Sequence, residues 1–122
     1  MAHTVLLVED EQMTRTMLRK FFESHRCRVV EVEDGAEAFA LVQKKKPDLI
    51  VMDLSMPDIE GLPAVHVLRD SPSTSDIPII IYSGTLDDPV TRGELGVGPR
   101  LRFMRKPGDL DEMWQWAKEM MS

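Results

Sequence analysis

The chain has a single cysteine, few aromatic residues and a shortage of positive charge. Its single cysteine, Cys27, allows no internal disulfide and fits a reducing compartment. Fifteen Lys and Arg stand against 21 Asp and Glu, a net charge of −6. That balance argues against direct binding of nucleic acid, whose phosphates need a basic face. The one basic run, Lys44-Lys45-Lys46 before Pro47, sits where cations complement a helix dipole. No apolar run approaches membrane-spanning length, and acidic residues arrive by Glu9, which argues against a secretory signal. Neither linker, repeat nor low-complexity segment is visible. These absences lead to the expectation of a cytoplasmic protein with no membrane or nucleic-acid partner.

What is there suits one domain over residues 1–122. With 43% hydrophobic and 30% charged residues, the chain can build a single core but not two. Short apolar runs alternate with segments of helical period. Val5–Val8 reads as a buried strand, and Glu11–Ser24 follows as a helix with Met13, Met17, Leu18, Phe21 and Phe22 on one face. Val29–Val32 is a second strand. Asp34-Gly35 turns the chain into a helix lined by Ala38, Leu41 and Val42, and Pro47 precedes the third strand, Leu49–Met52. Gly61 starts a third helix with Leu62, Val65 and Leu68 inward, and Ile77–Tyr82 is the fourth strand, with Pro78 tolerable near its start. Leu101–Met104 is the fifth strand. The last helix opens on Asp109 with Glu112 three positions on, a capping-box pattern, and Leu110, Met113, Trp114, Ala117 and Met121 form its inward stripe.

Five strand-then-helix units predict an α/β doubly wound fold: a five-stranded parallel sheet of order 2-1-3-4-5, flavodoxin-like, flanked by five helices. The weakest unit lies in the glycine-rich segment 84–100. Pro89 suits a helix start capped by Asp87 or Asp88, but Gly93, Gly96 and Gly98 each cost a helix roughly 1 kcal/mol relative to alanine. A short or loosely held fourth helix is expected there.

The chemistry-bearing residues sit at strand ends. Glu9 and Asp10 follow the first strand, Asp53 the third, Ser83 the fourth, and Lys106-Pro107 the fifth. Taken singly, each has an ordinary reading: helix capping for the acids, turn formation for Ser83, a surface position for Lys106. Together they fall on the carboxyl edge of one sheet, where strands one and three flank the switch point. Three carboxylates brought together repel unless a cation joins them, and Mg²⁺ takes oxygen ligands. An ammonium there can offset their charge or meet phosphoryl oxygens, and a proline after it stops the strand and can adopt a cis peptide in a tight turn.

Over essentially its whole length the chain resembles bacterial two-component response-regulator receivers, CheY-like. The resemblance is carried by Leu7-Val8-Glu9-Asp10, Asp34-Gly35, Pro47 through Pro57, Gly61, Tyr82-Ser83-Gly84 and Lys106-Pro107; the third-strand segment is its most specific part. It implies that Asp53 is the phosphoacceptor, taking a phosphoryl group from a phosphohistidine on a sensor histidine kinase or a histidine phosphotransfer protein. It also implies that Asp10, Asp53 and the Ser55 carbonyl hold Mg²⁺, with Glu9 acting through water. Lys106 would stabilise the transferring group, Ser83 would reach for it, and Phe103 would be the switch aromatic. The output would be a population shift at the surface of the fourth helix, fifth strand and fifth helix, read by a downstream effector protein or domain. Such a domain catalyses only its own phosphorylation and dephosphorylation and is not otherwise an enzyme. Glu9, Ser83 and Phe103 stand where aspartate, threonine and tyrosine are commoner, and Gly84 where alanine is frequent.

Two other readings compete. Haloacid-dehalogenase-type phosphohydrolases also use an aspartate nucleophile with Mg²⁺ after a strand, but they want a second aspartate two residues on, where this chain has Ser55. An unphosphorylated receiver-like adaptor is the third possibility, disfavoured because no core chemical residue is missing. His3, His25 and His66 share no metal-site spacing. Trp116 reads as core rim or partner contact, and Met13 as packing or as a contact for the incoming phosphodonor.

Overall fold

Five runs of aliphatic residues pair into one sheet: β1 (Thr4–Val8), β2 (Arg28–Val32), β3 (Leu49–Met52), β4 (Ile79–Ser83) and β5 (Leu101–Arg105). The order is β2-β1-β3-β4-β5 and every pair is parallel, as the alternation of strand and helix predicts. The structure, a computed structural model, describes residues 2–54, 67–84 and 100–122. Four helices occur among them: α1 (Gln12–Ser24), α2 (Gly35–Lys45), the helical residues 67–70 as α3, and α4 (Leu110–Met121). The helix start at Gly61 with Leu62 and Val65, and the glycine-rich fourth helix expected in 84–100, lie outside the described residues but for Gly84 and Arg100.

Strand periodicity divides the core in two, because successive side chains point to opposite faces. Leu6, Val8, Ile50, Met52, Ile79 and Ile81 share one face with Ala38 and Val42 of α2 and Leu68 of α3. Val5, Leu7, Leu49, Val51, Ile80 and Tyr82 take the other face, against Leu18 and Phe22 of α1 and Met113 and Ala117 of α4. β3 is buried along its whole length, as a central parallel strand covered on both faces must be. Fully burying a side chain such as Phe22 or Leu18 contributes about 1.5–3 kcal/mol.

Several local expectations shift. The buried face of α1 is Thr14, Leu18 and Phe22, whereas Met13 is 84% exposed and Met17 42%. Spacing of i, i+4, i+8 selected the hydroxyl of Thr14 over the methionines, since the helix lies on the sheet by that stripe. β4 begins at Ile79 and runs through Ser83; Pro78 precedes it and its carbonyl accepts from Ile50 N–H at 2.9 Å. In α4 the buried residue of the last turn is Met120 rather than Met121. Asp109 caps that helix through Asp111 N–H at 2.9 Å, one residue short of the capping-box position. Asp34 caps α2 through Glu37 N–H at 2.8 Å, and Lys44 and Lys45 occupy its last turn ahead of a left-handed Lys46 (φ 47°), where their charge suits the helix dipole.

Candidate functional site

Register delivers the acids. Val8 of β1 pairs with Met52 of β3, so the next residue of each chain, Glu9 and Asp53, leaves the sheet at the same height. Asp53 N–H donates to the Val8 carbonyl at 3.0 Å and Glu9 N–H to the Val32 carbonyl at 3.2 Å. These bonds extend the ladder one step past the strands and fix where both side chains emerge. Glu9 is 3% exposed and Asp53 7%, while Asp10 faces solvent. Carboxylate oxygens of Glu9, Asp10 and Asp53 lie within 4.8 Å of one another.

β5 supplies the cation. Lys106 N–H donates to the Ser83 carbonyl at 2.8 Å, and the following Lys106–Pro107 peptide is cis. From that anchor the ammonium donates to Glu9 Oε2 at 2.9 Å and to Asp53 Oδ2 at 3.2 Å. The second Glu9 oxygen accepts from Glu11 N–H at 3.2 Å. Burial pushes the Glu9 carboxyl above the ordinary value; the Lys106 hydrogen bond opposes this and the Asp53 charge adds to it. Burial pulls the Lys106 ammonium down, but the Glu9 and Asp53 carboxylates outweigh it and hold the ammonium above its usual range.

Among the described residues, three carboxylates thus cluster where the Lys106 ammonium meets two of them. The donors are all oxygen, with no imidazole or thiolate in the group, which is the chemistry of a hard dication such as Mg²⁺ rather than of a softer transition metal. Asp10, the exposed member, leaves the cluster open to solvent.

The remaining predicted residues divide. Ser83 is fully buried at the end of β4. It pairs with Arg105, and Ile81 with Phe103, so Ser83 and Phe103 stand on one face of the sheet, two residues apart along it. Phe103 is half-buried against the α2-side core. Ser55 lies outside the described residues.

Two residues that sequence reasoning passed over touch the site. Arg15 on α1 donates to the Glu9 carbonyl at 2.9 Å and pairs with Glu33 at 3.2 Å and Glu31 at 3.7 Å. It thereby ties the acidic turn to β2 and the chain just past it. Its position one turn into the helix after the acid pair was the available signal. Tyr82, the chain's one tyrosine, accepts from Gly108 N–H at 3.1 Å, and its ring centroid lies 5.7 Å from Lys106 Nζ. A phenol directly after the three isoleucines of β4 could have drawn notice. His25 plays a packing part, stacked on Trp114 at 4.1 Å, and Trp116 forms core rim beneath the Arg102 guanidinium at 5.6 Å.

The sequence pattern of the response regulator receiver domain matches residues 5–118. This chain belongs to that family. As a receiver domain it is a part of two-component signal transduction. Its relatives include Protein PilH of Pseudomonas aeruginosa, 35% identical over 79 residues that cover 65% of each chain. Transcription factor SKN7 of Candida albicans is 38% identical over 84 residues, 69% of this receiver and 15% of that protein. This receiver therefore spans less than two thirds of each of these relatives. Among solved structures, the receiver domain of a signal transduction histidine kinase from Syntrophus aciditrophicus superposes with a TM-score of 0.86 at 28% identity, over 98% of this chain and 90% of that one. The receiver domain of sensor histidine kinase PA1611 from Pseudomonas aeruginosa, with magnesium coordinated in its active site cleft, gives 0.86 at 24% identity over 99% and 98%; that likeness bears on the fold alone. Among the described residues no helix is long and apolar enough to cross a membrane.

Proposed function

We propose that this receiver accepts a phosphoryl group on Asp53 from the phosphohistidine of a sensor histidine kinase or a histidine phosphotransfer protein. The supporting observation is the ammonium of Lys106 set between Glu9 Oε2 and Asp53 Oδ2, in a cluster of three carboxylates. An Asp53 carboxylate oxygen bonds to phosphorus as the P–N bond breaks, and the electron pair leaves on the imidazole. The product is an acyl phosphate. Such a transfer asks chiefly for positioning and charge stabilisation, and Lys106 supplies a point charge for the phosphoryl oxygens.

Asp10, Asp53 and the Ser55 carbonyl would hold Mg²⁺, with Glu9 through water, and the ion when bound adds positive charge opposite the developing anion. Glu9 fits an outer position because both of its oxygens are already engaged, by Lys106 and by Glu11 N–H. Ser83 donates its hydroxyl to the new phosphoryl group, and Phe103, on the same sheet face, repacks in response. The covalent change is local; the readout is a population shift at the surface of β5, α4 and the glycine-rich segment 84–100, recognised by an effector protein or domain. The domain, residues 1–122, works in the cytoplasm and turns over only its own phosphoryl group.

Incubation with Mg²⁺ and a small acyl phosphate, followed by intact mass, tests this beside an Asp53→Asn control. One added phosphoryl group in the native chain alone is the expected result. Mg²⁺ binding without any gain from either the small donor or a histidine phosphodonor would favour an unphosphorylated adaptor.

A further inference from the structure

We infer that Tyr82 is a positioning residue for Lys106: it grips the turn that carries the lysine and so sets where the ammonium stands. The inference rests on the assignment of Lys106 to phosphoryl transfer. Two bonds pin the turn, both to the last two residues of β4. Ser83 takes Lys106 N–H through its carbonyl at 2.8 Å, and Tyr82 takes Gly108 N–H through its phenol oxygen at 3.1 Å. Lys106 and Pro107 are thereby held from both sides by one strand.

The ring adds a second contact. Its centroid lies 5.7 Å from Nζ, within the reach of a cation–π attraction, so the ring supports the ammonium in addition to the carboxylates' hydrogen bonds. The turn also packs closely. A methyl added at Gly108 would come within 2.5 Å of Met104 Sδ and 2.7 Å of its Cγ, and Met104 is itself buried and paired with Tyr82 across the strands. Gly108 is thus pressed onto β5 with its N–H aimed at the phenol.

Core filling alone does not call for a tyrosine. Tyr82 is 3% exposed among Val51, Ile80, Met104 and Met113, where a phenylalanine or leucine would bury comparable apolar surface. What the hydroxyl adds is the bond to the turn. A buried tyrosine normally finds some partner for its oxygen; here that partner is the backbone two residues beyond the functional lysine. Small displacements of such a group are costly to rate.

Tyr82→Phe and Tyr82→Leu, each made in the native chain and in Lys106→Ala, test this through the initial rate of phosphorylation by acetyl phosphate with saturating Mg²⁺. Rates are normalised to the final phosphoryl stoichiometry, so that only competent protein is compared, and melting temperatures are recorded beside them. Tyr82→Phe is expected to slow the native chain by about three- to tenfold, the worth of one hydrogen bond, and Tyr82→Leu by more. Neither should slow Lys106→Ala further, since coupled residues are non-additive. Equal fold-losses in both backgrounds would overturn the inference and make Tyr82 a general core residue. An unchanged rate in Tyr82→Phe, with Lys106→Ala slow, would overturn it while leaving the lysine's role standing. If Lys106→Ala itself proceeds at the native rate, the lysine assignment fails and this inference falls with it.

Discussion

The Lys106 ammonium lies 2.9 Å from Glu9 Oε2 although 97 positions separate the two residues in the chain. Glu9 follows β1 and Lys106 follows β5, strands that are not neighbours in the sheet. The long lysine stem reaches across the carboxyl edge of β3 and β4 to join them, meeting Asp53 on the way. That reach makes the site a property of the folded sheet, so loss of any of the three should be felt by the others.

Replacing Lys106 with methionine keeps the stem and deletes the charge. Glu9 and Asp53 then lose the Lys106 ammonium, and the metal-free chain should lose about 1–3 kcal/mol at neutral pH, between an exposed pair and a broken buried one. The sign with pH follows from the raised folded-state value of Lys106: its contribution is fully present below pH 10.5, the ordinary value, and is lost as pH rises through the folded one. Glu9 is also raised, so the stability linked to its protonation is fully present below pH 4.5 and disappears as pH climbs through its folded value. Denaturant midpoints across pH should show the native-to-variant gap closing in strong alkali, with the variant gaining stability on acidification. A constant gap would contradict both assignments.

Mg²⁺ should stabilise the chain against heat, by about 2.7 kcal/mol when its concentration is a hundred times the dissociation constant. Asp10 is exposed, so Asp10→Asn should leave the metal-free melting temperature nearly unmoved while removing most of the Mg²⁺-dependent rise. An undiminished rise in that variant would take Asp10 out of the ligand set.

Ser83→Ala should still take up a phosphoryl group but fail to pass the change on to β5. Amide hydrogen exchange over 101–105, compared before and after phosphorylation, reads this directly. A full native response in the variant would show that the hydroxyl has no part in coupling.

Met13 projects into solvent on α1, three residues past Asp10, and its exposure of 84% removes packing as its explanation. Met13→Ala should change stability by no more than about 0.5 kcal/mol, as surface substitutions do. It should leave phosphorylation by a small acyl phosphate unaltered and slow transfer from a histidine phosphodonor. Equal rates with both donors in variant and native chain would remove Met13 from the docking surface.

Much of this was legible in the sequence. Parallel strands with helices on both faces follow from the alternation of β-branched runs and helical-period segments, because each pattern buries its apolar residues in only one way. The strand ends carrying Glu9, Asp53, Ser83 and Lys106 could be named for the same reason. Helix faces were harder to read: Met13 and Met17 matched the apolar period of α1, yet the sheet took Thr14, Leu18 and Phe22. Periodicity gives a stripe about a third of a turn wide, and only the docking angle selects within it.

By itself, then, the sequence determined the order of the five strands, the doubly wound class and which charged residues would collect at one edge of the sheet. Tertiary structure alone decided who touches whom there. Periodicity is a local property, whereas the Lys106–Glu9 pair, the Arg15 bond to the Glu9 carbonyl and the Tyr82 bond to Gly108 depend on strand register, side-chain reach and the path of a turn. Those are settled only when the whole sheet closes its hydrogen bonds and both faces are packed.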